Sequence, residues 1–169
     1  MQALDILGKL DEFLEMRDHR KRILDFLSQC QLETGGFSGG NMQNGHVSDC
    51  YAAVMALVTI GTKEAYSLIN RKGMHRFLLS LKDETIKGAI RMEPHGEIDM
   101  RSMYCAISVA KILNILDDDL KKDVVGFITK CQTHEGGFGG VIHEEAHGGY
   151  TYCAYAALCL LDAQKSINI

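Results

Sequence analysis

The side chains best suited to chemistry in this sequence are His147, Tyr150 and Cys153, which follow one another at steps of three residues. At this spacing all three lie along one edge of a helix that begins near His147. The free backbone amides at a helix N-terminus attract anions, so this edge could bind an anionic group. Each residue also has a structural interpretation, because tyrosines on apolar helices usually pack in cores and a cysteine is often a packed thiol.

Six cysteines could supply disulfides or reactive thiols. They occupy positions 30, 50, 105, 131, 153 and 159, without a Cys-x-x-Cys pair or any other known metal-binding spacing. Residues 1–5 show no basic region followed by an apolar core, so we expect no secretory signal and a cytoplasmic protein. In that compartment the cysteines are reduced, either as buried small apolar side chains or as functional thiols.

Charge and hydropathy exclude several classes of partner. The net charge is −4 over 169 residues, whereas nucleic acids and anionic membranes require concentrated positive charge. The longest apolar run, at 156–161, is too short to span a bilayer. The acidic run from Asp117 to Asp119 opens a predicted helix, and we interpret it as a cap rather than a metal site. We therefore predict no nucleic acid partner and no membrane span.

The elements that must position these side chains are helices. Between Ile23 and Cys30 the apolar residues recur at steps of three and four, which places them on one helical face. The run from Tyr51 to Ile60 is apolar on nearly all sides, as in a helix covered by neighbours. Strand-like alternation is not sustained anywhere in the sequence. We predict an all-α protein with further helices at 68–81, 98–116, 120–131 and 150–161.

Glycine is frequent, with 17 residues against one proline, and its positions repeat. The segment Cys30–Gly40 (CQLETGGFSGG) recurs as Cys131–Gly140 (CQTHEGGFGG), and a degenerate copy at 81–90 gives a period of about fifty residues. We interpret the glycines as turns that end helices rather than as a phosphate-binding loop, which would need a preceding strand. Each unit is an outer helix, a glycine turn and a more apolar inner helix. The predicted units of one partial domain over 1–169 lie near 20–61, 63–116 and 118–163.

Two starts of inner helices carry more specific motifs, GEIDMRSMYC at 96–105 and EAHGGYTYC at 145–153. Together with the glycine turns and the period, they make residues 23–169 resemble the β subunits of protein prenyltransferases, above all the farnesyltransferase branch. The segment TIGTKEAY at 59–66 resembles the same branch. Related toroids such as triterpene cyclases usually carry tryptophan in their turns, and this chain has none. The resemblance implies an α/α toroid, with about three helix pairs forming a partial ring here.

The resemblance also implies an activity and the residues that support it. In the family, a zinc-bound thiolate from a C-terminal CaaX cysteine attacks C1 of farnesyl diphosphate, and the β subunit forms a heterodimer with an α subunit. His147 and Arg101 match catalytic positions, His147 at the diphosphate and Arg101 at both isoprenoid and peptide. Further matched positions are Tyr104, Gly149, Tyr150 and Cys153 for the isoprenoid diphosphate, and His46 and Tyr51 for the CaaX peptide.

Other features of the family have no counterpart in this sequence. The Asp, Cys and His that bind zinc, and the Lys, Arg and Tyr that complete the diphosphate site, belong to repeats beyond Ile169. We therefore expect Zn²⁺, and any Mg²⁺, in the full-length family enzymes and no metal site here, since Asp99, His147 and Cys153 lack ligand spacing. The chain alone is expected to be inactive. The alternative is a non-catalytic helical-repeat module that binds an α-like subunit or a lipidated protein.

Overall fold

The predicted all-α class is confirmed in the computed structural model, which describes residues 1–167. Within these residues the extended pairings are isolated bridges rather than strands. The helices are α1 (Gln2–Ile6), α2 (Leu10–Glu15), α3 (His19–Cys30), α4 (Val47–Ile60), α5 (Lys63–Ser67), α6 (Arg71–Ser80), α7 (Met100–Ile112), α8 (Asp118–Lys121), α9 (Val124–Lys130) and α10 (Gly148–Leu160), with 3₁₀ turns at Met16–Asp18 and Gln164–Ser166.

The inner helices α4, α7 and α10 pack side by side, with α7 in the middle. They bury most of their length because apolar residues surround them nearly completely. In α7 alone, Met103, Ile107 and Val109 are fully or almost fully buried. Alanines at contact positions such as Ala106 and Ala157 let neighbouring helices approach closely. This layer forms the centre of the hydrophobic core.

The outer helices α3, α6 and α9 bury only one face. Leu24 in α3, Met74 in α6 and Phe127 in α9 point into the core, while the opposite faces carry charged, exposed residues. Such amphipathic helices cover the inner layer on one side and meet water on the other. Each precedes a glycine turn that leads into an inner helix.

The three glycine turns follow these outer helices and have the predicted left-handed backbone, but the glycines lie five, eight and six residues beyond the helix ends at Cys30, Ser80 and Lys130 rather than at the helix caps. Gly35, Gly88 and Gly136 have φ angles of 104°, 85° and 89°, a region that side chains other than glycine rarely adopt. The residue that follows each turn is almost completely buried, as Phe37 and Phe138 show. The degenerate second copy therefore keeps the left-handed glycine of the two clear ones, and the buried residue Ile90 follows it as Phe37 and Phe138 follow theirs.

Two of these turns lie against the backbone at the start of the next outer helix. A Cβ added at Gly35 would lie 1.9 Å from the carbonyl carbon of Gly73, and one at Gly88 would lie 2.1 Å from the carbonyl oxygen of Asp123. Neither position has room for a side chain. The Lys82 ammonium strengthens the second contact by donating to the carbonyls of Asp119 (2.7 Å) and Lys122 (2.8 Å). Consecutive repeats are thus joined directly through their backbones.

The predicted helix at 120–131 is wrong as a single element. It breaks between α8 and α9, where Asp123 adopts a left-handed backbone with φ of 64°. The break brings the Asp123 carbonyl against Gly88, so the contact between repeats outweighs local helix propensity. The Asp117 cap is confirmed, because its carboxylate accepts a hydrogen bond from the Leu120 amide (3.0 Å). That hydrogen bond is the main cause that lowers the pKa of Asp117.

Replacing Gly88 by alanine should destabilise the fold more than the same change at Gly136. Alanine at either position adopts a strained φ, which costs about 1–2 kcal/mol. At Gly88 the methyl group also collides with Asp123, for a total of about 3 kcal/mol or more. Urea unfolding followed by circular dichroism measures the difference.

The control for this comparison is Gly126→Ala in α9, where no described atom apart from its chain neighbours and the backbone of its own helix lies within 4 Å of the added carbon. This change should stabilise the chain by about 0.5–1 kcal/mol, because alanine favours a helix interior. Equal losses in the free energy of unfolding for Gly88→Ala and Gly136→Ala would show that the contact between repeats contributes nothing to the stability of the fold.

Candidate functional site

The N-terminal ends of the three inner helices lie together and are capped by side chains at equivalent positions of the repeats. His147 begins α10 and its Nδ1 accepts a hydrogen bond from the Gly149 amide (3.0 Å). His46 begins α4 and its Nδ1 accepts from the Ser48 amide (3.3 Å) and hydroxyl (2.7 Å). Asp99 begins α7 and accepts from the Arg101 amide (2.7 Å). We call these three cap residues and Arg101 the rim.

The capping hydrogen bonds fix which imidazole nitrogen can reach a ligand. Because Nδ1 of His147 and of His46 accepts a hydrogen bond, we assign the ring hydrogen to Nε2 in both residues. The Nε2–H group can then donate away from its helix. A single side chain thus caps the helix and presents a donor.

Arg101 is held in place by two carboxylates. Its Nε lies 3.1 Å and 3.0 Å from the two oxygens of Asp99, and its Nη2 contacts Asp99 (2.5 Å) and Glu97 (2.9 Å). The hydrogen bonds to Asp99 are the main cause that raises the pKa of Arg101 above its ordinary value. The guanidinium is therefore fixed in orientation, and much of its charge is compensated by its neighbours.

Three tyrosines form a continuous layer beneath the rim. Tyr51, Tyr104 and Tyr152 each lie five residues after the cap of their helix. The Tyr104 hydroxyl lies 3.2 Å from that of Tyr51 and 3.4 Å from that of Tyr152, and both pairs of ring centroids are 5.5 Å apart. Burial raises the pKa of Tyr104. The layer joins all three inner helices at one depth.

Tyr152 is a further site residue that no single motif of the sequence identifies. Alignment of the three helix starts on His46, Asp99 and His147 places Tyr152 in register with Tyr51 and Tyr104. Its side chain is 62% exposed, so it lies at the open edge of the layer. The repeat register was therefore sufficient to find it.

The structure brings most of the predicted site residues together at the junction of α7 and α10. The His147 and Tyr150 rings lie 5.4 Å apart between centroids. Tyr150 and Cys153 both interact electrostatically with Arg101. The Gly149 amide is engaged by His147, which leaves it less available to a ligand than the sequence suggested. His46 lies at the end of α4, where its described hydrogen bonds go to Ser48.

Cys153 is a packed thiol rather than a nucleophile. Burial is the main cause that raises its pKa, and the Asp99 carboxylate acts in the same direction. The neighbouring Cys105 is buried more deeply, which raises its pKa to about 12. A thiol needs a lowered pKa to react as a thiolate near neutral pH. The raised pKa therefore does not favour Cys153 as a nucleophile, and its contact with an isoprenoid stays a prediction. All six cysteines are unpaired.

An apolar cavity of about 430 Å³ lies beneath the tyrosine layer and contacts all three inner helices. Most of its lining atoms are apolar, as in sites that hold organic ligands. The lining residues are Tyr51 and Met55 from α4, Tyr104, Ser108 and Ile112 from α7, and Ala156, Cys159 and Leu160 from α10.

The donors at the rim do not suit a zinc ion. Both oxygens of Asp99 are bound by Arg101, Nδ1 of His147 is used by its own helix, and burial raises the pKa of the neighbouring Cys153 thiol, which disfavours the thiolate that zinc binds. Residues 1–167 contain no group of three His, Cys, Asp or Glu side chains placed to hold a metal. Within the same residues, no helix has the length and apolar character needed to cross a bilayer.

Alkylation of the folded chain at about pH 8 should modify Cys159 first, because its thiol is exposed and thiolate is the reacting form. Burial raises the pKa of Cys50, Cys105 and Cys131 to about 12, so their thiolate fraction stays small well above neutral pH. Peptide mapping by mass spectrometry after iodoacetamide treatment measures the order. All six should react in urea, and equally fast reaction of Cys105 and Cys159 in the folded chain would contradict this site geometry.

Comparison with known proteins agrees with the fold. The chain is similar to the protein farnesyltransferase subunit beta of Arabidopsis thaliana, with 45% identity over all of this chain and 34% of that protein. The corresponding subunits of Pisum sativum and Schizosaccharomyces pombe are 44% and 39% identical, over 100% and 99% of this chain. The chain spans 34–42% of the length of these relatives.

The fold is also similar to that of a solved structure. Candida albicans protein geranylgeranyltransferase-I complexed with GGPP matches with a TM-score of 0.70 at 24% identity, over 88% of this chain and 48% of that one. The family model described as Prenyltransferase alpha-alpha toroid domain matches residues 1–169. The predicted resemblance and fold class are thereby confirmed: this chain belongs to the prenyltransferase α/α-toroid family.

Proposed function

We propose that this chain is part of the β subunit of a protein farnesyltransferase and forms one wall of its isoprenoid diphosphate site. The full-length enzyme would transfer farnesyl from farnesyl diphosphate to the cysteine of a C-terminal CaaX motif, in a heterodimer with an α subunit. The observation that carries the proposal is the order of surfaces along the inner helices: a rim of donors, a layer of tyrosines and an apolar cavity. That order matches a ligand with an anionic head and a long apolar tail.

The rim is suited to the diphosphate head. His147 offers its Nε2–H group, and Arg101 offers a guanidinium that Asp99 holds in a fixed orientation. Donors that are already oriented stabilise the charge that develops on a leaving diphosphate without reorganising during the reaction. The carboxylates of Asp99 and Glu97 compensate the positive charge of Arg101. The rim therefore contributes directed hydrogen bonds to a ligand rather than a large net positive charge. We infer that other parts of the full-length protein supply the remaining cations.

The tyrosine layer and the cavity are suited to the isoprenoid tail. Aromatic rings offer large apolar surfaces, and burial of apolar surface contributes about 25 cal/mol per Å². The hydrogen bonds between Tyr51, Tyr104 and Tyr152 hold the rings in fixed positions and satisfy their hydroxyls. Tyr150 and Cys153 would contact the part of the tail nearest the diphosphate, between the rim and this layer.

The CaaX peptide would lie on the α4 side of the same surface. His46 presents an Nε2–H donor there, and Tyr51 lies beneath it on the same helix. Arg101 lies on α7, the central inner helix, so it would contact both substrates. In a full-length enzyme a bound zinc ion keeps the substrate thiol ionised. Residues 1–167 contain no group of His, Cys, Asp or Glu placed to hold that ion, and we assign it to other parts of the full-length protein.

Two substitutions of His147 separate its capping role from its binding role. Asparagine reproduces the capping acceptor at Nδ1 but lacks the distal donor, whereas glutamine places an amide near the position of Nε2. His147→Asn should weaken the binding of farnesyl diphosphate about tenfold, because it removes one hydrogen bond to a charged group. His147→Gln should stay within about threefold of the original affinity.

Isothermal titration calorimetry with farnesyl diphosphate measures these affinities, and His134→Asn in the exposed third turn is the matched control. If His147→Asn binds as tightly as the unmodified chain, His147 is not a ligand of the diphosphate. If the unmodified chain binds an α subunit but no farnesyl diphosphate, the non-catalytic module is the correct function.

A further inference from the structure

A second surface lies at the opposite end of α7 from the rim. It is a groove of about 700 Å³ between α6 and the connection from α7 to α8, and it shares no described lining residue with the apolar cavity. The 13 residues of α7 separate the two ends by about 20 Å. The side chains that give the groove its character are Arg71, Lys72 and Arg76 from α6, and Ile115, Leu116 and Asp117 from the connection.

Arg71 forms a fixed end of the groove. Its Nε donates to the carbonyl of Leu113 (2.8 Å), and its Nη2 donates to the carbonyl of Asn114 (3.1 Å). Both carbonyls lie immediately beyond α7, at the negative end of the helix dipole. This guanidinium therefore has a structural role, because it joins the end of α7 to the start of α6.

Lys72 and Arg76 supply the remaining positive charge. Both side chains are exposed, and within residues 1–167 neither forms an ion pair. Asp117 is the acidic residue of the lining, but its Oδ1 accepts from the Leu120 amide (3.0 Å) and its Oδ2 lies 2.7 Å from Nε2 of His75. Since both of its oxygens are already engaged, Asp117 leaves the two cations available to a partner.

The pair of cations is particular to the second repeat. In the register of the glycine turns, Lys72 is equivalent to Lys21 of α3, whereas Arg76 is equivalent to Asp25 of α3 and Gly126 of α9. Among the three outer helices, a second cation one turn after the lysine therefore occurs in α6 alone. Side chains four residues apart lie on the same face of a helix, about 6 Å from one another.

The opposite side of the groove is apolar. Ile115 and Leu116 are half-buried, so part of each side chain remains accessible to an occupant. An occupant that fits has two carboxylates about 6 Å apart, opposite Lys72 and Arg76, and an apolar side chain against Ile115 and Leu116. Acidic peptide segments carry both features, whereas a nucleic acid offers the charge without an aliphatic side chain.

We propose that this groove binds an acidic, partly apolar peptide segment of a partner protein, and that Lys72 and Arg76 recognise its carboxylates. Exposed ion pairs each contribute little, so the interaction is weak, reversible and sensitive to salt. The inference goes beyond the proposed function and does not depend on it, because a partner in this groove leaves the rim and the apolar cavity free.

Fluorescence anisotropy tests the groove with a short labelled peptide that has two glutamates four positions apart and a leucine between them. The unmodified chain should bind this peptide, whereas Arg76→Glu and Lys72→Glu should each bind it about tenfold more weakly, because an attraction becomes a repulsion. Replacing both glutamates of the peptide by glutamine should also weaken binding about tenfold. Replacing its leucine by alanine should weaken binding about threefold, because less apolar surface is buried.

The matched control is Lys21→Glu, which makes the same change of charge at the equivalent exposed position of α3 and should bind the peptide as the unmodified chain does. Equal weakening in Lys21→Glu would show a general effect of net charge and overturn the proposal. Failure of the unmodified chain to bind the peptide would overturn it as well.

Other occupants give different results in the same assay. A labelled oligouridylate that binds more tightly than the peptide, or a dimer of the chain that Arg76→Glu dissociates, would assign the groove to that occupant and overturn the proposal. Arg76→Glu should leave the affinity for farnesyl diphosphate within about twofold, because charges about 20 Å apart are largely screened. A failure at the groove is thereby distinguished from a failure of the proposed function.

Discussion

The architecture depends on the close contact between the glycine turn of one repeat and the first backbone atoms of the next outer helix. At Gly35 and Gly88 the approach leaves no room for a side chain, and the backbone conformation is one that glycine adopts without strain. This contact sets the spacing of the outer helices, and therefore the register of the inner helices that follow them. The second turn is two residues longer than the other two, with Lys82 and Ile90 bridged instead of Gln31 and Phe37. The caps and tyrosines nevertheless remain at equal depth.

The constant register is what makes a continuous surface from three separate helices. His46, Asp99 and His147 lie on one rim because each starts an inner helix, and Tyr51, Tyr104 and Tyr152 meet because each lies five residues further on. The rim uses the same atoms for structure and for the proposed binding. Imidazole Nδ1 caps a helix while Nε2 remains a donor, and the carboxylate of Asp99 both caps α7 and fixes Arg101. Changes that damage the caps would therefore damage the site.

The features that the sequence alone predicts are those with a local cause. Helical periodicity predicts the all-α class, the repeated glycines predict the turns, and the acidic run that begins at Asp117 predicts a helix cap. Features caused by contacts between repeats were not predicted. The break in the helix at Asp123 exists because its carbonyl contacts Gly88. The positive charge of Arg101 is compensated because the carboxylates of Asp99 and Glu97 accept hydrogen bonds from its guanidinium. Tyr152 becomes visible only when the three inner helices are placed in register.

The central claim is the direction of the ligand, with the diphosphate at the rim and the end of the tail in the cavity. Photocrosslinking with farnesyl diphosphate that carries a diazirine on its last isoprene unit tests this direction, with the modified residues mapped by mass spectrometry. The account predicts labels on α7 between Ser108 and Ile112 and on α10 between Ala156 and Leu160. Labels concentrated at His46, Arg101 or His147, or on the outer helices α3, α6 and α9, would contradict it.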